Sequence, residues 1–244
     1  MKRYFINIIF NGFIYKGWQK QKKCLNTIQN ILEQKISLIL KEKIKIISCS
    51  RTDKLVNAFS LYAHFDTYNK IKYNFLTILN KLLPIFIQIK DIFLVNNNLH
   101  ARYSVLSRSY LYIINFKKNP FLYKKSFFLK KKINYRKLLC ITSFIKNIKN
   151  FKKFTIKDVK NTICNIYNIK WIIINESFLF FYIEANRYLK YMIRCIIGTI
   201  LKISTNKLSL IKFISNYYLK DKKYKNFLKY LVPSYALYLL NVKY

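Results

Sequence analysis

The chain has 244 residues, enough for one large domain or two small ones with a substantial core. Hydrophobic residues at 52% and aromatics at 18% exclude a disordered tail protein. A formal charge of +37, from 46 Lys+Arg against 9 Asp+Glu, points to a polyanion as partner, and nucleic acid is the usual one.

AT-rich coding would also enrich lysine, asparagine, isoleucine, phenylalanine and tyrosine, but such a surface attracts phosphate whatever its origin. The five cysteines (Cys24, Cys49, Cys140, Cys164 and Cys195) form no C-x-x-C pair, and only two histidines accompany them. Neither a zinc site nor a disulfide framework is suggested, and reduced thiols in a cytoplasm fit best. No apolar run approaches the ~20 residues that span a bilayer. The start, Met1-Lys2-Arg3 followed by Tyr4–Phe10, lacks a small-residue cleavage site and reads as a first strand rather than a signal peptide.

In chain order, Arg3–Phe10 reads as a strand and Asn11–Leu25 as a loop. Asn26 with Gln29 resembles a capping box. Ile28, Ile31, Leu32, Ile36, Ile39 and Leu40 then recur at helical spacing. Ile44–Ser50 and Ala58–Asp66 read as strands flanking a short polar loop, Tyr73–Leu83 as a helix stopped by Pro84, and Ile89–Asn96 as another strand. That order is β-α-β-β-α-β.

The second half repeats the scheme. Strands are expected at Ser109–Asn115, Ile163–Ile174 and Phe178–Ala185, and helices at Tyr135–Asn147 and Arg187–Ser204. Further helical sequence and a final strand at Ala236–Val242 follow, and basic Lys117–Lys132 reads as a loop between the halves. The expected fold class is α+β: two ferredoxin-like split βαβ halves, residues 1–107 and 108–244, forming a wide, mainly antiparallel sheet with helices packed on it.

With three glycines in the chain, each should sit where glycine is required. Gly12 and Gly17 bracket a loop ending in Gly17-Trp18-Gln19, where positive φ or close backbone approach is expected. Gly198 lies inside a helical pattern, where a tight helix-on-sheet contact would explain it.

Four stretches could carry chemistry. In Ser50-Arg51-Thr52-Asp53 a rare acid follows an arginine that would hold it ionised, as a nucleophile or general base needs. The ordinary alternative is a loop salt bridge. Leu99-His100-Ala101-Arg102 precedes Arg108-Ser109-Tyr110-Leu111-Tyr112, where a phenol ring beside a guanidinium suits a base and its phosphate, although tyrosines also pack as plain strand residues. Arg187, Lys190 and Arg194 are spaced to share a helix face, with a solvated basic stripe as the bland reading. Gln19, in its aromatic loop, suits an RNA contact but is weakly specific.

Together, in this order, these stretches resemble the TruA family of tRNA pseudouridine synthases. The family's Gly-Trp-Gln loop, Gly-Arg-Thr-Asp-x-Gly-Val-His motif, Phe-His-Ala-Arg segment, Arg-x-Tyr-x-Tyr strand and Met-Val-Arg-x-Ile-Val-Gly helix are matched by five stretches. These are Gly17-Trp18-Gln19, Ser50-Arg51-Thr52-Asp53-Lys54-Leu55-Val56-Asn57, Leu99-His100-Ala101-Arg102, Arg108 to Tyr112 and Met192 to Gly198. The resemblance covers nearly the full chain. Ser50, Leu55 and Asn57 stand where the family shows glycine, glycine and histidine.

The resemblance implies a pseudouridine synthase fold and a cytoplasmic, cofactor-free and metal-free homodimer. Its reaction would isomerise uridine to pseudouridine at tRNA positions thirty-eight to forty, in the anticodon stem-loop. It further implies catalysis by Asp53 with Arg51 and Arg194, and substrate binding by Tyr110, Arg108, Arg102 and Gln19. Asp66, the nearest other acid, reads as structural. The alternative is a tRNA-binding or tRNA-folding protein with a decayed active site, against which the retained Arg51, Asp53, Tyr110 and Arg194 argue. A cationic membrane-surface protein would need a long amphipathic helix of a kind this chain lacks.

Overall fold

The computed structural model describes residues 1–22, 24–156, 160–218 and 227–244. Parts of the loop expected over Asn11–Leu25 and of the helical sequence expected after Ser204 lie outside these residues. Two compact units emerge, Met1–Tyr110 with Leu237–Tyr244, and Leu111–Ala236.

In the first unit β1 (Lys2–Phe10), α1 (Ile28–Leu40), β2 (Ile47–Ser48), β3 (Asn57–Thr67), α2 (Phe75–Leu82) and β4 (Ile87–Val95) follow the anticipated order. The closing strand β9 (Leu237–Lys243) and the first residues of β5 (Ser107–Asn115) complete a sheet of order β4-β1-β3-β9-β5, with β2 paired to β3. β1 is antiparallel to β3 and to β4, with Arg3 opposite Asp66 and Phe5 opposite His64. Phe5, Ile6 and Ile8 are all fully buried, so this central strand is covered on both faces and reads as a near-continuous apolar run. β9 lies parallel to β3, with Tyr238 opposite Asn57 and Leu239 opposite Ala58.

The second unit continues β5 and adds β6 (Phe127–Phe128), α3 (Tyr135–Asn147), β7 (Ile166–Ile174), β8 (Phe178–Ala185), α4 (Met192–Ser204) and α5 (Leu210–Tyr218). Its strands run in the order β5-β8-β7, with β6 parallel to β5. The β7–β8 hairpin turns through Asn175, Glu176 and Ser177, with Asn175 and Glu176 both at positive φ (48° and 50°). α3 packs on α4 and on β7. Eleven of the thirteen α4 residues are buried, as expected of a helix that is apolar almost all round. The protein is therefore α+β with mainly antiparallel pairing, as its sequence pattern implies. No helix among the described residues is long and apolar enough to cross a membrane.

Several boundaries differ for physical reasons. The α1 cap is Thr27, whose hydroxyl accepts from the Asn30 N–H at 3.4 Å, because the Asn26 amide is used elsewhere, donating to the Ile14 carbonyl at 2.9 Å. The strand expected over Ile44–Ser50 shrinks to Ile47–Ser48, since Ile44 and Ile46 are buried without a partner strand. α4 begins at Met192 rather than Arg187, because Tyr191 takes a left-handed conformation at φ 67°. Arg187 and Lys190 thus precede the helix, and the shared face with Arg194 does not exist.

Gly198 makes a tight contact, but with a 3-10 turn rather than the sheet. A Cβ there would stand 1.6 Å from the Tyr230 carbonyl oxygen. The neighbouring chain is fixed by the bond from the Val232 N–H to the Arg194 carbonyl. Gly198→Ala should therefore destabilise the fold by at least about 3 kcal/mol, the upper range for overpacking, since backbone cannot swing aside. Urea unfolding measures this, and an unchanged midpoint would contradict the packing described.

Candidate active site

Asp53 sits, half-buried, at the start of a tight turn closed by the bond from the Val56 N–H to the Asp53 carbonyl, 3.2 Å long. Leu55, the third residue of that turn, has φ 68°. That value is ordinary for glycine and costs a leucine about 1–2 kcal/mol. Backbone strain is thus held two residues from the carboxylate, and a glycine at this position would relieve it.

The loop after β1 holds the turn in place. A Cβ on Gly12 would meet the Val56 carbonyl oxygen at 2.0 Å, and one on Gly17 would meet the Thr52 carbonyl oxygen at 2.8 Å. Gly17 also has φ 97°. Both glycines are therefore required by close approach of two backbones. Hydrogen bonds lock the contact: Trp18 N–H to the Thr52 carbonyl at 3.1 Å, Leu55 N–H to the Tyr15 carbonyl at 3.4 Å, and Gly12 N–H to Asn57 Oδ1 at 2.8 Å. Tyr15 and Trp18 are buried beneath it. Asn57, in the place of a histidine, serves as a buried strut.

Tyr110 and Arg108 approach the same loop from β5. Tyr110 is buried, and its hydroxyl shares a hydrogen bond with Ser50 Oγ at 2.9 Å. Burial pushes the phenol up to about 12, and the Asp53 charge adds to that shift, so the ring stays neutral. Arg108 donates from Nε and Nη2 to the Cys49 carbonyl at 3.1 and 2.7 Å, and from Nη2 to the Arg102 carbonyl at 3.2 Å. It ties together the entry to the Asp53 turn and the segment that carries Arg102. Cys49 itself is inert, since burial raises its thiol to about 11.

The Arg102 segment is pinned to the sheet. Arg3 forms a two-pronged bond with Asp66 at 2.7 and 2.8 Å and donates to the Asn97 and Leu99 carbonyls. Asp66 is thus structural, and the guanidinium holds its carboxyl below the usual range. His64 Nδ1 accepts from the Ala101 N–H at 3.1 Å, and burial lowers this imidazole to about 4, keeping it a neutral acceptor. His100 Nδ1 accepts from the N–H groups of Arg102 and Tyr103, and the Tyr244 hydroxyl donates to the Ala101 carbonyl at 2.8 Å.

Asp53, Tyr110, Arg108 and Arg102 thus belong to one connected neighbourhood of the first unit. Arg51 and Gln19 lie in the same unit, exposed, with no hydrogen bond to a described residue. No ion pair between Arg51 and Asp53 occurs among the described residues. Arg102 is also exposed, its guanidinium 5.7 Å from the Tyr103 ring centre. Arg194 belongs to the second unit, where Nε donates to the Val232 carbonyl at 2.8 Å and the guanidinium lies 5.4 Å from the Tyr191 ring centre. Ser50 and Asn57 were visible in the sequence only as departures from a motif, and their partners lie 60 and 45 residues away.

Comparison with known proteins places the chain among relatives over its full length. A family model described as tRNA pseudouridine synthase matches residues 146–244. The tRNA pseudouridine synthase A of Azobacteroides pseudotrichonymphae genomovar. CFP2 is 34% identical over 247 residues, covering 100% of this chain and 97% of that protein. Those of Dictyoglomus turgidum (30% identical, 100% of each chain) and Dictyoglomus thermophilum (32%, 98% of each) are similar.

Asn57→Ala leaves the buried Gly12 N–H without its acceptor. It should cost about 1–3 kcal/mol of stability, read from denaturant unfolding. A variant as stable as wild type would remove Asn57 from the support of the loop.

Proposed function

Since the chain belongs to the TruA family of tRNA pseudouridine synthases, we propose that it isomerises uridine at tRNA positions thirty-eight to forty with Asp53 as nucleophile. The protein is a tRNA pseudouridine synthase, an isomerase, and a decayed tRNA-binding protein is not favoured. The observation that carries the assignment of Asp53 is its placement on a strained, backbone-locked turn within electrostatic reach of Tyr110.

The reaction conserves every atom of the nucleoside. The bond from the ribose C1′ to uracil N1 breaks, the ring turns, a bond from C1′ to C5 forms, the C5 proton leaves and N1 gains one. The target base must first leave its stack and enter the site. Asp53 then engages C1′ as the glycosidic bond breaks, by a covalent adduct or by stabilising the positive charge on a base-free sugar. One carboxylate suffices, unlike hydrolysis with its paired acid and base. Tyr110, neutral and fixed through Ser50, offers its ring to the uracil. Arg108 keeps the Cys49–Asp53 segment in register and, with Arg102 and Gln19, is assigned to RNA contacts. Arg51, exposed beside the Asp53 turn, is assigned to orient Asp53 and hold a phosphate. Arg194 is assigned to RNA phosphate on its motif. A homodimer acting in the cytoplasm completes the proposal.

Incubation with undermodified tRNA and mapping of pseudouridine in the anticodon arm tests the reaction. Wild type should give product there, and Asp53→Ala should give none while still binding tRNA. Residual turnover by Asp53→Ala would remove it as nucleophile. Product outside the anticodon arm would overturn the assigned positions.

A further inference from the structure

A run of rings leads from the core of the first unit to its surface. Phe5, which is buried, stacks on His64 with ring centres 5.7 Å apart and planes at 16°. His64 meets His100 edge-on at 4.8 Å, and His100 stacks on Tyr103 at 4.4 Å and 29°. Tyr103 ends the run and is 76% exposed. Burial lowers both imidazoles, so neutral rings lie between the core and the phenol.

A lone exposed ring is ordinary on a protein surface. Tyr68, Tyr73 and Phe121 are examples here, and none stacks on another ring among the described residues. Tyr103 differs in how firmly its backbone is held. The N–H groups of Arg102 and Tyr103 donate to His100 Nδ1 at 3.1 and 3.2 Å. The His100 N–H donates to Ser104 Oγ at 2.9 Å, and the Ser104 N–H returns to the His100 carbonyl at 3.0 Å. Ala101 is fixed through His64 and Tyr244, so five successive residues are tied by hydrogen bonds, yet the side chain they place faces water.

Rigidity without burial suits a ring that meets a partner. The side chain is ordered before a ligand arrives, so a stacking contact loses little to conformational entropy. The surroundings specify the partner's chemistry. Arg108 bridges the Arg102 and Cys49 carbonyls with one guanidinium, which joins the Tyr103 segment to the entry of the Asp53 turn. The Arg102 guanidinium stands 5.7 Å from the ring centre, beyond the 4.4 Å of the His100 stack, and leaves the ring open. An open aromatic face beside an exposed cation matches a nucleotide, with its base on the ring and its phosphate on the guanidinium.

We infer that the open face of Tyr103 stacks on an unpaired base of the tRNA anticodon arm while Arg102 holds an adjacent phosphate. The ring replaces stacking that the RNA loses when the target uridine leaves its place. Every base offers a π face, so Tyr103 adds affinity and position rather than sequence choice. The inference rests on tRNA being the substrate and adds a contact residue to those already assigned.

The test measures tRNA affinity of the full chain at several salt concentrations for wild type, Tyr103→Leu, Tyr103→Phe and Arg102→Ala, each fold verified by urea unfolding. Tyr103→Leu keeps apolar bulk but has no π face, and should bind about tenfold more weakly at an unchanged salt slope. Tyr103→Phe should bind as wild type, and Arg102→Ala should reduce the slope by about one. Equal affinity of Tyr103→Leu and wild type would overturn the stacking. So would an equal loss in Tyr103→Phe, which would make the hydroxyl the contact. A smaller salt slope in Tyr103→Leu would also overturn it, because the ring would then act only by positioning Arg102. Anticodon arms carrying 5-iodouridine at unpaired positions outside the target sites should photocrosslink to Tyr103. Crosslinks elsewhere on the chain and none there would put the base on another surface and defeat the inference. Wild type that does not bind tRNA would defeat the substrate reading along with it.

Discussion

Two stretches of backbone in the first unit lie so close that Gly12 and Gly17 have no room for a side chain. Gly12 faces the Val56 carbonyl and Gly17 the Thr52 carbonyl, and the turn between those carbonyls presents Asp53. Side chains can adjust to a mutation, but backbone at this distance cannot, so the turn has one position relative to the loop. The left-handed Leu55 persists because both sides of the turn are held.

Everything else known of this neighbourhood extends that contact. The Asn57 amide fixes the far end of the turn to Gly12, and β9 pairs parallel with Asn57 and Ala58. Arg108 fixes the near end through the Cys49 carbonyl, and Tyr110 meets it through Ser50. Arg3, Asp66, His64 and Tyr244 hold the Arg102 segment by ordinary structural bonds. Polar residues that would pass for solubilising groups in so basic a chain are thus committed to positioning one carboxylate and the tyrosine beside it.

Much of this was legible in the sequence. α3 and β8 fall where periodicity places them, because a strong apolar rhythm fixes them. Gly12 and Gly17 announced themselves by rarity, and Asp53 by its place in an ordered set of motifs. What could not be read was the sign of a backbone angle or the choice between rival caps. Tyr191 at positive φ shortened α4 and dissolved an expected basic face, and Asn26 lost the cap because its amide found Ile14. The Ser50–Tyr110 and Gly12–Asn57 bonds join residues distant in the chain, so only the fold reveals them.

The most direct measurement is single-turnover pseudouridine formation by Gly17→Ala, with its fold verified and its tRNA affinity measured in parallel. Displacing the Thr52–Asp53 backbone should slow product formation about 100-fold, the order expected for a catalytic group moved by an ångström, while affinity stays within about threefold. A folded Gly17→Ala protein forming product at the wild-type rate would show that the glycine contact does not aim Asp53.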